Sequence, residues 1–171
     1  AIAQVDKIED LWNQKFWEKW YSNLDKNSIE LKKNSADHVE IGAAPIKTRH
    51  GWLLLYSHIQ NYFSQENGDR IFGIEAVLLD KANPYLILGK TRSPILVPRE
   101  SYEIAGYVPN IVFPSGALVE KDNLFIYYGA ADTTVCMAEV NLTDLLNSIR
   151  PETADQWYFK RSPSNPIISP N

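Results

Sequence analysis

Three carboxylates stand where chemistry could be done: Glu40, Glu75 and Asp132. Glu40 and Glu75 each fall in a short apolar run that reads as a β-strand. Cleaving a glycosidic bond takes an acid paired with a base or a nucleophile, two carboxyl groups roughly 5–10 Å apart. Neighbouring strands can supply that separation; the alternative for each glutamate is a solvated charge at a sheet edge. Asp132 follows Gly129-Ala130-Ala131 at the end of a strongly apolar run, and small residues there let a ligand approach the backbone. A carboxylate so placed can accept hydrogen bonds from sugar hydroxyls, or it can cap its own turn. The five tryptophans and nine tyrosines offer flat faces for sugar stacking or ordinary core material. His38, His50 and His58 show neither His-x-x-x-His nor Cys/His spacing, so the sequence gives no metal site.

These residues sit in a chain of 171 residues, 44% hydrophobic and 22% charged, enough for an ordinary buried core. A net charge of −4 argues against a nucleic-acid partner. Cys136 stands alone and cannot form an internal disulfide, which fits a reducing cytoplasm. No apolar run approaches the ~20 residues that span a bilayer, and no secretory pattern is present, so no membrane partner is expected. The first residue is Ala rather than Met, and further residues upstream are expected.

The elements that position the carboxylates begin with a helical segment over 4–34, in which Asp25-Lys26-Asn27-Ser28 offers an interruption and the cap of a second helix. Ile8, Leu11, Trp12, Phe16, Trp20, Leu24 and Leu31 form its apolar stripe. From His38 the pattern changes to short apolar runs between turns. Strands are expected over 39–47, 52–58, 70–80 and 85–90, then over 110–120, 124–129, 134–140 and 157–161, with a short helix over 142–149 after Asn141. The chain also aligns with itself. Gly51-Trp52-Leu53-Leu54-Leu55-Tyr56 matches Asn123-Leu124-Phe125-Ile126-Tyr127-Tyr128, and Pro94-Ile95-Leu96 matches Pro166-Ile167-Ile168 at the same offset. A recurring four-stranded unit marks a propeller blade. The expected fold is therefore mainly β: a partial β-propeller of two four-stranded blades over 38–150, an N-terminal helical segment, and a tail over 151–171 with a closing or next-module strand. Two blades cannot close a ring, so the chain is expected either to be a fragment lacking its N-terminal blades or to self-associate.

Three phrases carry a family resemblance. Gly42-Ala43-Ala44-Pro45-Ile46-Lys47-Thr48 with Gly51-Trp52-Leu53-Leu54-Leu55-Tyr56, Val108-Pro109-Asn110-Ile111-Val112-Phe113-Pro114-Ser115-Gly116, and Tyr127-Tyr128-Gly129-Ala130-Ala131-Asp132-Thr133 appear in that order. They resemble motifs of glycoside hydrolase family 130, the β-mannoside phosphorylases and β-mannosidases. The resemblance implies a five-bladed propeller with its site in the central channel. It also implies phosphorolysis of mannooligosaccharides or mannosyl-glucose with inorganic phosphate as co-substrate and no other cofactor. Lys47 lies in the basic position of the first motif, which implies a phosphate ligand. His58 implies another, although the family has His directly after Tyr and here Ser57 intervenes, turning the ring to the other strand face unless a bulge corrects it. Asp132, Asn110, Tyr107 and Tyr128 are implied sugar contacts. The family's proton-donor aspartate has no counterpart here. The two blades are expected to turn their glycine- and aspartate-bearing loops toward one hollow. Alternatives are a β-mannoside hydrolase, a non-catalytic carbohydrate-binding or self-assembling blade module, and a scaffold that docks protein partners through helix 4–34.

Overall fold

A computed structural model of the chain describes residues 1–64, 70–149 and 160–169. Its centre is a pair of long strands, β3 (Trp52–Gln60) and β4 (Ile71–Leu79), almost every residue of which is buried. They pair antiparallel in one unbroken register, Trp52 opposite Leu79 and Gln60 opposite Ile71. A run apolar on both faces must be covered on both faces, and it is. Leu53, Leu55, Ile74, Ala76 and Leu78 face a second sheet, whereas Leu54, Tyr56, Val77 and Leu79 pack against Leu31 with Ile2 and Ile29. The first sheet is completed by β5 (Ile87–Lys90) beside β4, and by two short strands on the far side of β3, β1 (His38–Ile41) and β2 (Ile46–Lys47).

The run 39–47, read as one strand, is thus split. Pro45 brings no backbone N–H, and Gly42 is pressed against the second sheet: a Cβ there would lie 1.8 Å from the Pro114 carbonyl oxygen. Gly42→Ala is expected to cost about 1–3 kcal/mol through overpacking, against about 0.5 kcal/mol or less for Gly116→Ala, where nothing lies within 4 Å of the new methyl. Urea denaturation of the two variants checks the contrast.

The second sheet has the order β6 (Val112–Glu120), β7 (Asn123–Ala130), β8 (Thr134–Asn141), β9 (Lys160–Arg161). Leu124, Ile126 and Tyr128 of β7 and Cys136, Ala138 and Val140 of β8 face the first sheet. The register puts Phe125 and Tyr127 on the opposite face, half-buried, with Leu118 exposed beside Phe125. The tail adds the last strand of this sheet: Lys160 and Arg161 pair with Glu139 and Ala138, while 157–159 of the expected strand lie outside the described residues. The internal alignment has a structural counterpart. Ile95 N–H donates to Ile74 O at 2.7 Å, and Ile167 N–H donates to Val135 O at 2.8 Å, so each Pro-Ile segment returns to the third strand of its own sheet.

Helix over 4–34 is much shorter than expected. A 3₁₀ turn (Ile8–Trp12) and α1 (Gln14–Tyr21) are its only helical parts among the described residues, followed by turns to residue 27. The aromatic stripe finds little to cover it: Trp12 is 86% exposed, and only Leu31 is fully buried. Two indoles are fixed by backbone, Trp17 to Leu11 O at 2.7 Å and Trp20 to Ile2 O at 2.8 Å. The second short helix, α2 (Ser101–Ile104), precedes β6, and α3 (Leu142–Ile149) follows β8 with Asn141 accepting from Asp144 N–H at 3.0 Å. No helix among the described residues is long and apolar enough to cross a membrane.

Candidate functional site

Side chains that could meet a ligand gather where the α2–β6 loop, residues 105–111, lies on the β7–β8 turn, residues 131–133. Tyr107 N–H donates to Thr133 Oγ1 at 2.9 Å, Val108 N–H to Ala131 O at 3.1 Å, and Ala131 N–H to Ile111 O at 3.0 Å. The approach is close enough to exclude a side chain at Gly106, whose Cβ would stand 2.5 Å from both Ala131 O and Thr133 Oγ1. Asn110, Ala131 and Asp132 hold left-handed backbone, with φ of 60°, 48° and 50°. Such angles cost little for Asn and Asp but more for Ala. The result is a rim that presents Tyr107, 88% exposed, together with exposed Asn110 and Asp132. An aromatic face beside a carboxylate and a carboxamide has the make-up of a sugar contact, with stacking on C–H faces and acceptors for hydroxyls.

The first sheet contributes its matching end. Phe72, at the start of β4, bridges Ile111, at the start of β6, so the end of the first sheet that carries His38 and Glu40 adjoins this rim. His38 Nε2 lies 3.2 Å from Glu40 Oε1, and its ring stacks on Tyr62 at 4.8 Å.

Four expected contacts are displaced. Lys47 pairs with Trp52 at the opposite end of β3, about 26 Å of strand away at ~3.3 Å per residue, and its ammonium rests over the Trp52 ring. Lys47 and Asp132 do not share one hollow. His58 is buried completely, because β3 runs without a bulge and the intervening Ser57 puts the ring on the Tyr56 face, away from the rim. Its Nε2 meets Asp37 Oδ2 and its Nδ1 meets Glu75 Oε1, both at 2.9 Å. Two N–H donors coexist only in the imidazolium, so the charged ring is the form that matches both carboxylates. Tyr128 is no wall of an open site either. It is wholly buried and donates its hydroxyl to Glu103 Oε1 at 2.8 Å. Finally, Glu40 and Glu75 do not form a catalytic pair. Glu40 lies opposite Ser57 and Glu75 opposite Tyr56; consecutive positions on β3 face opposite ways, and Glu75 is fully buried.

Two buried charge networks, built around Tyr56 and Tyr128 at equivalent positions, hold the ends of the sheets. In the first, Glu75 accepts from Tyr56 Oη at 3.0 Å and from Lys33 Nζ, and Asp37 accepts from His58 and from the backbone N–H groups of Lys33, Asn34 and Asn61. In the second, Glu103 accepts from Tyr128, from Arg161, and from the N–H groups of Arg99 and Glu100. Burial pushes both tyrosine hydroxyls well above their ordinary range, and the adjoining carboxylates add to it. Burial also pushes the Asp37 carboxyl up, but the hydrogen bonds from His58, Asn61 and Asn34 and the charge of His58 outweigh it, so the group titrates below its ordinary value. Glu103 behaves alike: burial raises it, and Arg161, the two backbone N–H groups and Tyr128 bring it below the usual glutamate range. Carboxyls depressed on folding contribute stability that is complete above their unfolded values, near pH 4, and is lost as pH falls through the folded ones. The urea midpoint is expected to hold between pH 7 and 5 and to drop below about pH 4; a midpoint that rises on acidification would contradict both assignments.

Two antiparallel sheets, one of five strands and one of four, pack together beneath the exposed aromatic and carboxylate residues of the rim; this is a mainly β protein, and the comparisons narrow its class. The family model for glycoside hydrolase family 130, described as β-1,4-mannooligosaccharide phosphorylase, matches residues 12–151. The chain belongs to that family. It is 37% identical over 107 residues to 1,2-β-oligomannan phosphorylase of Thermoanaerobacter sp. (63% of this chain, 34% of that one). It is 37% identical over 111 residues to β-1,2-mannobiose phosphorylase of Listeria innocua (65% and 29%). The solved complex of the Listeria enzyme with β-1,2-mannobiose superposes with a TM-score of 0.59 at 33% identity, covering 72% of this chain and 33% of that one. A structure from work on family members that hydrolyse β-1,2 mannosidic linkages in Candida mannan gives 0.52 at 31% identity, with 69% and 32% covered. The chain thus spans about a third of the length of these relatives.

Glu103, Arg161, Lys33 and Asp37 are structurally decisive and were not singled out by sequence reasoning. For Glu103 a signal existed: Glu100-Ser101-Tyr102-Glu103 carries a glutamate three residues after the N-cap, the spacing of a capping box. The Lys33–Glu75 and Arg161–Glu103 pairs lie 42 and 58 residues apart and have no local signature.

Proposed function

We propose that the chain forms two blades of a β-mannoside phosphorylase, in which the rim of Tyr107, Asn110 and Asp132 contacts the mannoside and inorganic phosphate attacks the glycosidic carbon. The observation that carries the reading is the junction of the 105–111 loop and the 131–133 turn, where two of the family phrases meet and expose an aromatic ring beside a carboxylate. Phosphorolysis breaks the bond between the anomeric carbon and the acceptor oxygen, forms mannose 1-phosphate, and requires an acid to protonate the departing oxygen. That acid is assigned to blades supplied by chain outside the one described, as are the groups that neutralise phosphate. The apolar outer face of the second sheet, with Leu118, Phe125 and Tyr127, is the surface against which a further blade would pack. Buried, unpaired Cys136 fits the cytoplasm as the compartment.

One observation favours hydrolysis as the second reading. Neither Lys47 nor His58 lies on the rim, and the carboxylates near it, Asp132 and Glu40, repel an anion. The test is to mix the chain with a polypeptide carrying the part of a family member that it lacks, and to assay β-1,2- and β-1,4-mannobiose with and without phosphate. The proposal expects no turnover by the chain alone and phosphate-dependent release of mannose 1-phosphate by the mixture. Release of free mannose independent of phosphate would establish hydrolysis instead, and full turnover by the chain alone would overturn the assignment of the acid to other blades.

A further inference from the structure

The 105–111 loop is anchored at both feet by a single residue. It starts two positions after Glu103, and Ile111 N–H at its far end donates to the Glu103 carbonyl at 3.2 Å. The Glu103 side chain, fully buried, in turn receives Arg99 N–H at 2.7 Å, Glu100 N–H at 3.0 Å and Tyr128 Oη at 2.8 Å. What neutralises it comes from the tail. Arg161 Nε donates to Glu103 Oε1 at 2.8 Å and Arg161 Nη2 to Glu103 Oε2 at 2.9 Å, and Nη2 also reaches Val97 O at 3.0 Å. A two-pronged guanidinium–carboxylate pair fixes orientation as well as charge, which a lysine ammonium cannot reproduce. The tail is itself docked on β8: Asn165 spans Met137, accepting from its N–H at 2.9 Å and donating to its carbonyl at 3.0 Å.

We propose that Arg161 is a positioning residue for the mannoside rim: by clamping the Glu103 carboxylate, the tail strand sets the pose of the loop that presents Tyr107 and Asn110. The inference rests on the reading of that rim as the sugar site. Arg161 touches no ligand; it acts through Glu103. Because the clamp joins the tail to the loop, the coupling is reciprocal, and a sugar that binds only the ordered loop tightens tail docking by the same factor.

The experiment compares Arg161→Lys, Arg161→Gln and Asn165→Ala, the last loosening the tail while leaving the clamp residue in place, so that one folded variant is available in any case. Amide hydrogen exchange at Tyr107, Val108 and Ile111 is measured beside that of β7, with calorimetric titration of β-1,2-mannobiose on each folded variant. Arg161→Lys is expected to lose about tenfold or more of its protection at the loop amides while β7 stays unchanged, and its mannobiose affinity should fall in step. Unchanged loop protection in both Arg161 variants would overturn the proposal. So would a uniform loss across the second sheet with affinity intact, the mark of a purely structural arginine. If loop protection is lost but the unaltered chain itself binds no mannobiose, control of the loop by Arg161 stands and the sugar reading of the rim fails.

Discussion

Replacing His58 with leucine should lower the unfolding free energy by about 3–5 kcal/mol, the range for removing one partner of a buried charge pair. The ring is completely buried between Asp37 and Glu75, each at 2.9 Å. Leucine fills a similar volume, so the change is chiefly electrostatic: two carboxylates lose the cation that separates them. Each keeps other donors, Asp37 its three backbone N–H groups and Glu75 the Tyr56 hydroxyl and Lys33, which argues for the lower half of that range. Adding Asp37→Asn to His58→Leu should recover part of the loss, since it removes one stranded charge, and a double-mutant cycle in urea reads the coupling directly. A His58→Leu variant within about 1 kcal/mol of the unaltered chain would mean that the three groups are not a coupled network.

The second large effect falls on binding rather than folding. Asp132→Asn keeps a residue that tolerates the left-handed backbone at φ 50° and removes only the charge. If the carboxylate accepts hydrogen bonds from mannose hydroxyls, its loss should cost about 1.5–3 kcal/mol of binding, roughly 10- to 150-fold in affinity, with little change in the unfolding midpoint. Lys47→Ala is the matched control. Lys47 sits at the far end of β3, over the Trp52 ring, and its removal should leave mannobiose affinity unaltered. Equal losses from the two variants would return Lys47 to the site and contradict the placement of the rim.

The elements that were readable in sequence are those dictated by local periodicity. β3 and β4 announce themselves as long apolar runs, α3 by Asn141 followed by an amphipathic turn, and the return of Pro166-Ile167-Ile168 to β8 by its match to Pro94-Ile95-Leu96 after β5. At His58 an extra residue after Tyr56, with no bulge to absorb it, points the ring to the other face. What the sequence hid was the destination of that face, which is the core under residues 31–37 and not the rim. The helix expected over 4–34 is cut short because an apolar stripe specifies a helix only where a surface exists to bury it, and Ile8 and Trp12 remain 69% and 86% exposed. The single strand over 39–47 is split at Pro45, which brings no backbone N–H, and at Gly42 for a reason outside that segment, the approach of Pro114 from the other sheet.

Of the candidate site, Tyr107, Asn110 and Asp132 come together through hydrogen bonds between two loops whose sequences each carried a family phrase. Tyr128 was misplaced because strand alternation tells that Tyr127 and Tyr128 face opposite ways without telling which way the neighbouring sheet lies; the structure puts Tyr128 inward and Tyr127 outward. Membership of the mannoside-processing family rests on the match over residues 12–151 and on the superposition with the Listeria enzyme, neither of which depends on Lys47.

Two-dimensional NMR of the isotope-labelled chain, titrated with β-1,2-mannobiose, tests the sugar reading of the rim most directly. Saturable shifts confined to the backbone amides of 106–111 and 131–133, absent from Lys47 and the β2–β3 turn, are the predicted result. Saturable shifts centred on that turn or on α1, with 106–111 and 131–133 unmoved, would contradict it.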